Sequence, residues 1–405
     1  MSEKILAVNA GSSSLKFKLF AMPEEVELFQ GAADRITGPG EGEFSYKKAG
    51  GEKVKLSLNM PDHEVAISKL LEVLVESGAV TDVEEIKGAG HRVVQGGEFF
   101  KDSALSTPEN LEVIESLNSL APLHNPANVM GVRAFLKALP NATQVLVFDT
   151  VFHQTMPEVN YLYPIERKFY DRYKIRRYGA HGTSHKYVSE ATAGVLGKDL
   201  SDTSVVVAHL GNGASITEVV AGKSMNTSMG FTPTGGLIMG TRTGDIDPTV
   251  ITYLQKITGL DADGMSDLVT KQSGMLAATG FSNDMRDVEE AVADDKHPHH
   301  AQAVVSFDMF IKRIADFITL YAADVVAGGR NVDAISFTAG IGENSSTVRK
   351  LVVDRLAILG AKIDEVANNT RGTVDITAEN SKVKILVIPT EEELMIARDT
   401  VRLRG

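Results

Sequence analysis

The sequence predicts an α/β fold made of two duplicated domains, each with a mixed sheet flanked by helices, and with a cleft between the domains. Segments that begin at Ile5 and at Val205 share one pattern: an apolar strand, a polar residue, a glycine-rich turn and a second strand of alternating polarity. Helix-period segments such as 64–77 alternate with short apolar runs such as 145–148 and 335–338. Such alternation is typical of a sheet covered by helices.

Chain length supports the division into two domains. A chain of 405 residues is longer than the roughly 250 to 300 residues at which one hydrophobic core stops growing. We expect residues 1–151 and the returning segment 389–405 to form the first domain, and residues 152–388 to form the second. The stretch 38–58, rich in Gly, Lys and Glu, is expected to be an exposed hairpin.

Composition limits the classes of function. The formal net charge of −12 argues against a nucleic-acid-binding protein, which needs a basic surface to displace counterions from phosphates. The chain has no cysteine, which excludes disulfides, thiolate metal sites and a cysteine nucleophile. The apolar stretch 303–326 contains several charges, too many for a membrane span, and is expected to be a buried helix that ends at Gly328. The N-terminus lacks the pattern of a signal peptide, so we expect a cytoplasmic protein.

Standard nucleotide and hydrolase motifs fail. The AGKS sequence at 221–224 would need glycine at position 217 to form a P-loop, but that residue is Thr217. The GNG sequence at 211–213 would need glycine at position 216 to form a dinucleotide fingerprint, but that residue is Ile216. HGTSH at 181–185 has the histidine spacing of a zinc protease but lacks its glutamate. The chain is therefore neither a P-loop ATPase nor a standard NAD enzyme.

Three glycine-rich turns remain, each after an apolar strand: NAGSSS at 9–14, HLGNG at 209–213 and TAGIGEN at 338–344. Glycine lets the backbone approach a ligand closely and point successive N–H groups at it, so each turn can cradle phosphate oxygens. Ordinary turn formation is the alternative for any one of them. Together they favour a phosphate ligand.

Several polar residues would be costly in their mainly apolar surroundings unless they are used. They are Arg92, His124, Asp149, His181 and Arg242. A strand that ends in Asp, as 145–149 does, presents a carboxylate at the sheet edge where open α/β sheets bind ligands. Asp149 could hold magnesium directly or through water, and a cap on the following turn is the alternative.

Longer motifs, read in order along the chain, resemble the acetate kinase family. They are NAGSSSLK (9–16), GHRVVQGG (90–97), PLHNP (122–126), RRYGAHGTSH (176–185), HLGNG (209–213), GFTPTGGLIMGTRTGDIDP (230–248), SNDMRD (282–287), FTAGIGEN (337–344) and IPTEEELMIARDT (388–400). The resemblance implies the actin-like, ribonuclease H-like ATPase fold. It also implies reversible, direct in-line phosphoryl transfer from ATP to acetate, giving acetyl phosphate and ADP, by a homodimer.

The resemblance also implies roles for individual residues. Asn9 and Glu392 would bind Mg²⁺, for which Mn²⁺ could substitute, and Asp149, His181 and Arg242 would be catalytic. The implied substrate-binding residues are Arg92, Val94, Leu123, His124 and Pro233. The implied nucleotide-binding residues are Lys16, His209, Leu210, Gly211, Asn212, Gly213, Asp284, Met285, Arg286, Gly340, Ile341, Gly342, Glu343 and Asn344.

Three details of the implied site need the structure. Acetate, with a pKa of about 4 like other carboxyls, is ionised at pH 7 and needs no general base, so we favour Asp149 as a magnesium-shell residue over a proton acceptor. Ala180, where some relatives carry Phe, is expected to widen an acyl pocket and admit propionate. The triplet 391–393 makes the metal assignment to Glu392 depend on one residue of alignment.

Two other functions compete with acetate phosphorylation. One is a kinase of the same superfamily for propionate or butyrate. The other is a non-catalytic nucleotide-dependent module of the actin type, which shares the fold and hydrolyses ATP slowly. Acetate-dependent formation of an acyl phosphate separates the kinases from the module.

Overall fold

A computed structural model describes residues 2–38, 40–122 and 124–405. Its strands are β1 (Glu3–Ala10), β2 (Ser14–Met22), β3 (Val26–Asp34), β4 (Gly42–Lys48), β5 (Lys53–Leu58), β6 (Ile86–Val93), β7 (Ala104–Leu105), β8 (Thr143–Phe148), β9 (Ser204–Leu210), β10 (Ala214–Val220), β11 (Lys223–Thr227), β12 (Ala334–Thr338), β13 (Val374–Asp375) and β14 (Lys384–Val387). Its α-helices are α1 (His63–Glu76), α2 (Pro108–Ser116), α3 (Asn125–Ala138), α4 (Glu158–Tyr161), α5 (Arg167–Tyr173), α6 (Gly182–Leu196), α7 (Pro248–Thr258), α8 (Ala262–Lys271), α9 (Gly274–Thr279), α10 (Met285–Ala293), α11 (His300–Ala327), α12 (Ala339–Asn344), α13 (Ser346–Asp354) and α14 (Glu392–Arg404).

The chain divides into two compact units. Unit 1 contains Met1–Val151 and Glu391–Gly405, and unit 2 contains Phe152–Thr390. None of the described helices is both long and apolar enough to cross a membrane.

Unit 1 is built on one mixed sheet with the strand order β5-β4-β3-β2-β1-β6-β8-β7. Strands β1, β6 and β8 are parallel, whereas β2 to β5 extend the sheet as antiparallel hairpins. Alternation places Leu15 and Phe17 of β2 in the core, with Lys16 on the opposite face. The rings of Phe17, Phe29 and Phe44 pack together with centroids 5.8 to 6.3 Å apart. The hairpin expected at 38–58 is present as β4 and β5.

Helix α14 returns to unit 1 from the far end of the chain. It packs on β1, β2, β6 and β8. Close packing depends on glycine in β6, because a Cβ at Gly90 would overlap the Thr400 and Ile396 side chains of α14. The Ser103 hydroxyl donates to Asp399 at 2.6 Å, which ties the middle of this helix to the strand region.

Unit 2 repeats the same arrangement. Its sheet has the order β11-β10-β9-β12-β14-β13, with β9, β12 and β14 parallel and β10 antiparallel to β9. The helix expected over the apolar stretch is α11, which buries Phe310, Ile314 and Ile318 and is followed by Gly328. Each unit therefore has a hairpin, β1–β2 or β9–β10, beside parallel strands, which confirms the predicted duplicated α/β fold.

Candidate functional site

The carboxyl ends of the parallel strands in unit 1 gather three of the predicted site residues. Val8 pairs with His91 and Val93 pairs with Phe148, so β1, β6 and β8 end near one level. Asn9 lies near the end of β1, Arg92 near the end of β6, and Asp149 directly after β8. Side chains at the carboxyl edge of parallel strands meet where open α/β sheets bind ligands.

Arg92 and Asp149 form a two-point ion pair at this edge. Arg92 Nε donates to Asp149 Oδ1 at 2.8 Å, and Arg92 Nη2 donates to Oδ2 at 2.6 Å. The Asp149 side chain is 2% exposed, whereas that of Arg92 is 24% exposed. Burial acts to lower the pKa of Arg92, but the Asp149 carboxylate outweighs it, so the pKa lies above its usual value. Arg92 is therefore a fixed cation with one side open to a ligand.

The structure separates the three glutamates at the start of α14. Lys18 Nζ lies 3.2 Å from a Glu391 oxygen and 3.8 Å from a Glu393 oxygen. Glu392 instead lies in the field of Arg92. Burial raises the pKa of Glu392 to about 7, an effect that Arg92 opposes and the Asp149 and Glu393 carboxylates reinforce.

The turn at 9–14, which we call the NAGSSS turn, is held by its surroundings. Asn128 Nδ2 in α3 donates to Ala10 O at 2.8 Å. Helix α3 can approach because residue 131 is Gly, where a Cβ would lie 2.6 Å from Ala10 Cβ. The Ile36 N–H donates to Ser13 O at 3.0 Å. Within the described chain, the N–H groups of Ser12 and Ser13 donate to no backbone carbonyl, so they remain available to an anion.

The remaining predicted site residues of unit 1 lie at several places around β6, α3 and β2. The Val94 N–H donates to Asn128 Oδ1 at 3.1 Å, which connects the end of β6 to the same helix as the turn. His124 is exposed just before α3. Lys16 is exposed on β2, near enough to act on the pKa of Glu392. Leu123 lies outside the described residues.

Oxygen donors in unit 1 suit magnesium. They are the Asn9 amide oxygen and the Glu392 carboxylate. Burial is the main cause of the raised pKa of Glu392, with a smaller contribution from the Asp149 and Glu393 carboxylates, and a divalent cation nearby would favour the charged form. The described residues contain no group of three or more His, Cys, Asp or Glu placed to hold a metal. Magnesium commonly takes one or two protein ligands and completes its shell with water and substrate phosphates, and this donor set fits that mode.

In unit 2, His181 is held in an unusual backbone conformation before α6. Its φ is 58°, a left-handed region that non-glycine residues occupy at a cost and that is common at functional sites. Ser215 Oγ lies 2.9 Å from His181 Nδ1 and 2.7 Å from His185 Nε2. The His181 ring stacks on His209 with centroids 4.1 Å apart. Burial, reinforced by the neighbouring imidazoles His153 and His209, moves the pKa of His185 well below its usual value, so that ring is neutral.

Arg242 converges with His181 at Gly213. A Cβ at Gly213 would lie 3.5 Å from His181 Nε2 and 3.6 Å from Arg242 Nη1. Arg242 Nη1 also donates to Pro233 O at 3.0 Å. Gly274, with φ of 62°, approaches the backbone of Arg242 so closely that a Cβ would overlap it, which explains glycine there. The structure thus brings together the predicted residues His181, Arg242, Gly213 and Pro233.

A cavity of about 630 Å³ in unit 2 is lined by half of the predicted nucleotide-binding residues. Arg286 is anchored there, because its Nε donates to Asp284 at 3.0 Å. Asp284 also accepts the Arg286 N–H at 2.9 Å and so caps α10. The predicted residues that line this cavity are Asn212, Asp284, Met285, Arg286, Gly340, Ile341 and Asn344.

The other predicted nucleotide residues have different surroundings. Leu210 is fully buried in the core of unit 2. Glu343 accepts the N–H groups of Ala339 at 2.8 Å and Thr390 at 3.2 Å. Gly342 O accepts from Arg349 at 2.9 Å. His209, Gly211 and Gly213 belong to the turn beside His181 rather than to the cavity lining. These residues shape the turns around the cavity.

Sequence reasoning missed several residues that the structure adds to these sites. Arg371 and Glu289 line the cavity, but Arg371 is exposed, Glu289 is half-buried on α10, and neither belongs to a motif. Ser215 orients two histidines, and Asn128 links the NAGSSS turn to Val94. A polar residue in an apolar strand, such as Ser215 in β10, was the one available signal.

Comparison with known proteins agrees over the whole chain. A model of the acetokinase family matches residues 4–398. The chain is 51% identical over 401 residues to an acetate kinase of Bacillus cytotoxicus, covering 99% of this chain and 98% of the relative. It is 50% identical over 401 residues to an acetate kinase of Bacillus subtilis, covering 99% of each.

Two solved structures are also similar. The acetate kinase of Porphyromonas gingivalis is 42% identical with a TM-score of 0.92 and covers 100% of both chains. A propionate kinase of Francisella tularensis is 41% identical with a TM-score of 0.91, covering 99% of this chain and 100% of its own. The matched family, the relatives and the fold agree, and the chain belongs to the acetokinase family.

Proposed function

We propose that the protein transfers the γ-phosphoryl group of ATP reversibly and in line to acetate, giving acetyl phosphate and ADP. The observation that carries the proposal is the Arg92–Asp149 pair at the carboxyl edge of the parallel strands, beside Asn9 and Glu392. Phosphoryl transfer has a loose transition state with charge spread over three equatorial oxygens, so it needs fixed cations more than a reactive side chain.

Arg92 binds the carboxylate or phosphoryl oxygens in this proposal. Its guanidinium keeps a planar fork that can form parallel hydrogen bonds to such groups. Asp149 uses both oxygens to hold that fork, so it acts chiefly by positioning Arg92. Acetate arrives ionised, with a pKa of about 4, and no proton acceptor is required. Val94, His124 and Pro233 are proposed substrate-binding residues.

Asn9 and Glu392 hold Mg²⁺ in this proposal. When bound, the ion neutralises charge on the nucleotide phosphates and on the group in transfer. Its presence would also lower the pKa of Glu392, because a nearby cation favours the carboxylate. Mn²⁺, which takes similar oxygen ligands, is a proposed substitute.

His181 and Arg242 are the proposed catalytic residues of unit 2. Both groups reach the same point beside Gly213, where a donor nitrogen and a guanidinium can stabilise developing phosphoryl charge. The cavity lined by Asp284, Arg286 and Gly340 holds the nucleotide in this proposal. Lys16, exposed on β2, is assigned to the phosphates because of its charge.

A homodimer is the proposed assembly. Val250, Tyr253 and Ile257 form an apolar stripe along α7, each with 40 to 64% of its surface exposed, and the exposed Ile246 lies just before the helix. The spacing of 3 and 4 residues puts the three helical side chains on one helix face, and a second copy of the chain is the occupant we propose for it. We place the protein in the cytoplasm, where ATP is available to a kinase.

A hydroxamate assay for acyl phosphate tests the function. Product should require acetate, ATP and magnesium together. The similarity to a propionate kinase makes propionate the second candidate substrate, so kcat/KM should be compared for acids of two to four carbons. Slow ATP hydrolysis with no acyl phosphate from any of these acids would favour the actin-like module.

A further inference from the structure

We infer that His63 is a positioning residue for the NAGSSS turn: it holds the Gly11 carbonyl and thereby aims the Ser12 N–H at the phosphate ligand. The inference rests on the proposed function of that turn. His63 is the first residue of α1 and lies 52 positions from Gly11, with Nε2 2.8 Å from Gly11 O. A carbonyl only accepts hydrogen bonds, so the ring carries its proton on Nε2.

The geometry of the peptide bond gives this contact its consequence. In a planar trans peptide, the C=O of one residue and the N–H of the next point in opposite directions. The ring on the Gly11 carbonyl therefore fixes the direction of the Ser12 N–H. Asn128 and Ile36 hold other carbonyls of the turn. The Gly11 N–H is already used by Ser14 O at 2.8 Å.

A histidine is a poor choice for stability at this position. His63 is 1% exposed, and its Nδ1 is buried with no hydrogen-bond partner in the described part of the chain. An unsatisfied buried acceptor costs free energy that an apolar side chain of similar size would avoid. His63 therefore departs from the rule that buried polar atoms are hydrogen-bonded, and it does so where it contacts a candidate ligand-binding turn. Such a departure indicates a functional reason for the residue.

Two amide substitutions separate the ring nitrogens. In His63→Gln the amide nitrogen falls near the position of Nε2, and the bond to Gly11 can form again. In His63→Asn it falls near Nδ1, and the bond is lost. Asp62→Ala is the matched control, because Asp62 caps the same helix through the Val65 N–H at 2.9 Å and its loss weakens α1 without removing the bond to Gly11.

We expect His63→Asn to lower kcat about tenfold and to raise the KM for acetyl phosphate in the reverse reaction, with little change in the KM for acetate. His63→Gln should stay within about threefold of the wild type. Asp62→Ala should lower the thermal midpoint but not kcat. A purely structural role would lower the active fraction in both directions alike and leave each KM unchanged. Equal kinetics in the Gln and Asn variants would overturn the inference.

A measurement on the unmodified protein does not depend on variants that fold. Long-range ¹⁵N–¹H spectra of the wild type should show the His63 proton on Nε2, and a proton on Nδ1 with bare Nε2 would overturn the inference. If the wild type forms no acetyl phosphate, the proposed function fails, and the spectra still test the bond to Gly11. If the wild type is active and both His63 variants match it, only the inference fails.

Discussion

The Arg92–Asp149 pair of unit 1 and the His185 and Glu218 side chains of unit 2 show two opposite ways of stabilising a buried ionisable group. In unit 1, both oxygens of the buried Asp149 accept hydrogen bonds from Arg92, so this carboxyl group has a fixed cationic partner. In unit 2, burial moves the pKa of His185 well below its usual value and raises the pKa of Glu218 to about 7. Burial is compatible with charge only where a partner is fixed, and otherwise it favours the neutral form.

This contrast suggests a division of labour. Fixed charges in unit 1 are suited to binding a phosphoryl group, a carboxylate and a metal ion. The imidazoles of unit 2 are oriented instead by hydroxyl groups, since Ser215 lies between His181 and His185, and Ser184 Oγ lies 2.8 Å from His209 Nδ1. Substitutions at Arg92 should therefore act through lost charge, whereas substitutions at Ser215 and Glu218 should act through lost orientation or changed protonation.

The largest effect should come from removing an arginine. Arg92→Ala and Arg242→Ala should each lower kcat/KM at least a hundredfold, which corresponds to about 3 kcal/mol of transition-state stabilisation. Steady-state assays of folded variants measure this. Near-normal kinetics for either variant would contradict its assignment.

Lysine at position 92 separates charge from shape. Arg92→Lys keeps a cation beside Asp149 but loses the planar fork. It should recover stability relative to Arg92→Ala, because the buried carboxylate keeps a partner, while most of the activity remains lost. Full activity in the lysine variant would show that charge alone is sufficient.

Glu218 tests the prediction that a buried group without a fixed charged partner favours its neutral form. Its pKa is raised from the usual 4.5 to about 7 by burial and by Asp324, so protonation favours the folded state. The stabilisation is complete below pH 4.5 and is lost as pH rises through about 7. Glu218→Gln should thus gain about 2 kcal/mol over the wild type at pH 8 and little at pH 4.5. Denaturant unfolding at both pH values measures the difference, and an equal gain at both would refute the pKa shift.

Ser215 tests orientation by a hydroxyl. Ser215→Ala removes the oxygen shared by the two histidines, and we expect kcat to fall about tenfold, roughly the value of one hydrogen bond to a catalytic group. Ser204, a buried serine in the neighbouring strand β9, provides a control as Ser204→Ala. Equal losses in both variants would indicate a general packing effect.

The smallest effect is expected in the nucleotide cavity. Arg371 lines it, and Arg286 is already held by Asp284, so Arg371 is the more available cation. Arg371→Ala should raise the KM for ATP about fivefold, roughly 1 kcal/mol, with kcat and the KM for acetate unchanged. Arg330→Ala, which changes a half-buried arginine outside the cavity lining, serves as the control.

Local patterns predicted the fold well. Strand alternation around Phe17, the hairpin with its glycine turn, and the apolar run that ends at Asp149 all depend on neighbours in sequence, so they could be read before the structure. The contact of Arg92 with Asp149 spans 57 positions and depends on strand register. Family resemblance named both residues but not their pairing.

Other features depended on tertiary packing. Ala180, which was expected to widen the acyl pocket, is 3% exposed and packs in a hydrophobic core cluster of unit 2. Enlargement there should first disturb packing. Leu210 and Glu343 belong to nucleotide motifs, yet one fills the core and the other holds backbone N–H groups. A motif identifies a turn but not which of its side chains face the ligand.

The return of α14 has a consequence for the order of synthesis. The ribosome completes β1, β6 and β8 early, but the helix that covers them is made only after all of unit 2. Arg402 reaches back 300 positions to Asp102, with hydrogen bonds of 2.7 and 2.8 Å. Until residues 392–404 emerge, the nascent first unit has an uncovered apolar face and lacks Glu392. Activity therefore begins only after translation has passed this helix, and the newly made chain has a prolonged need for protection from aggregation.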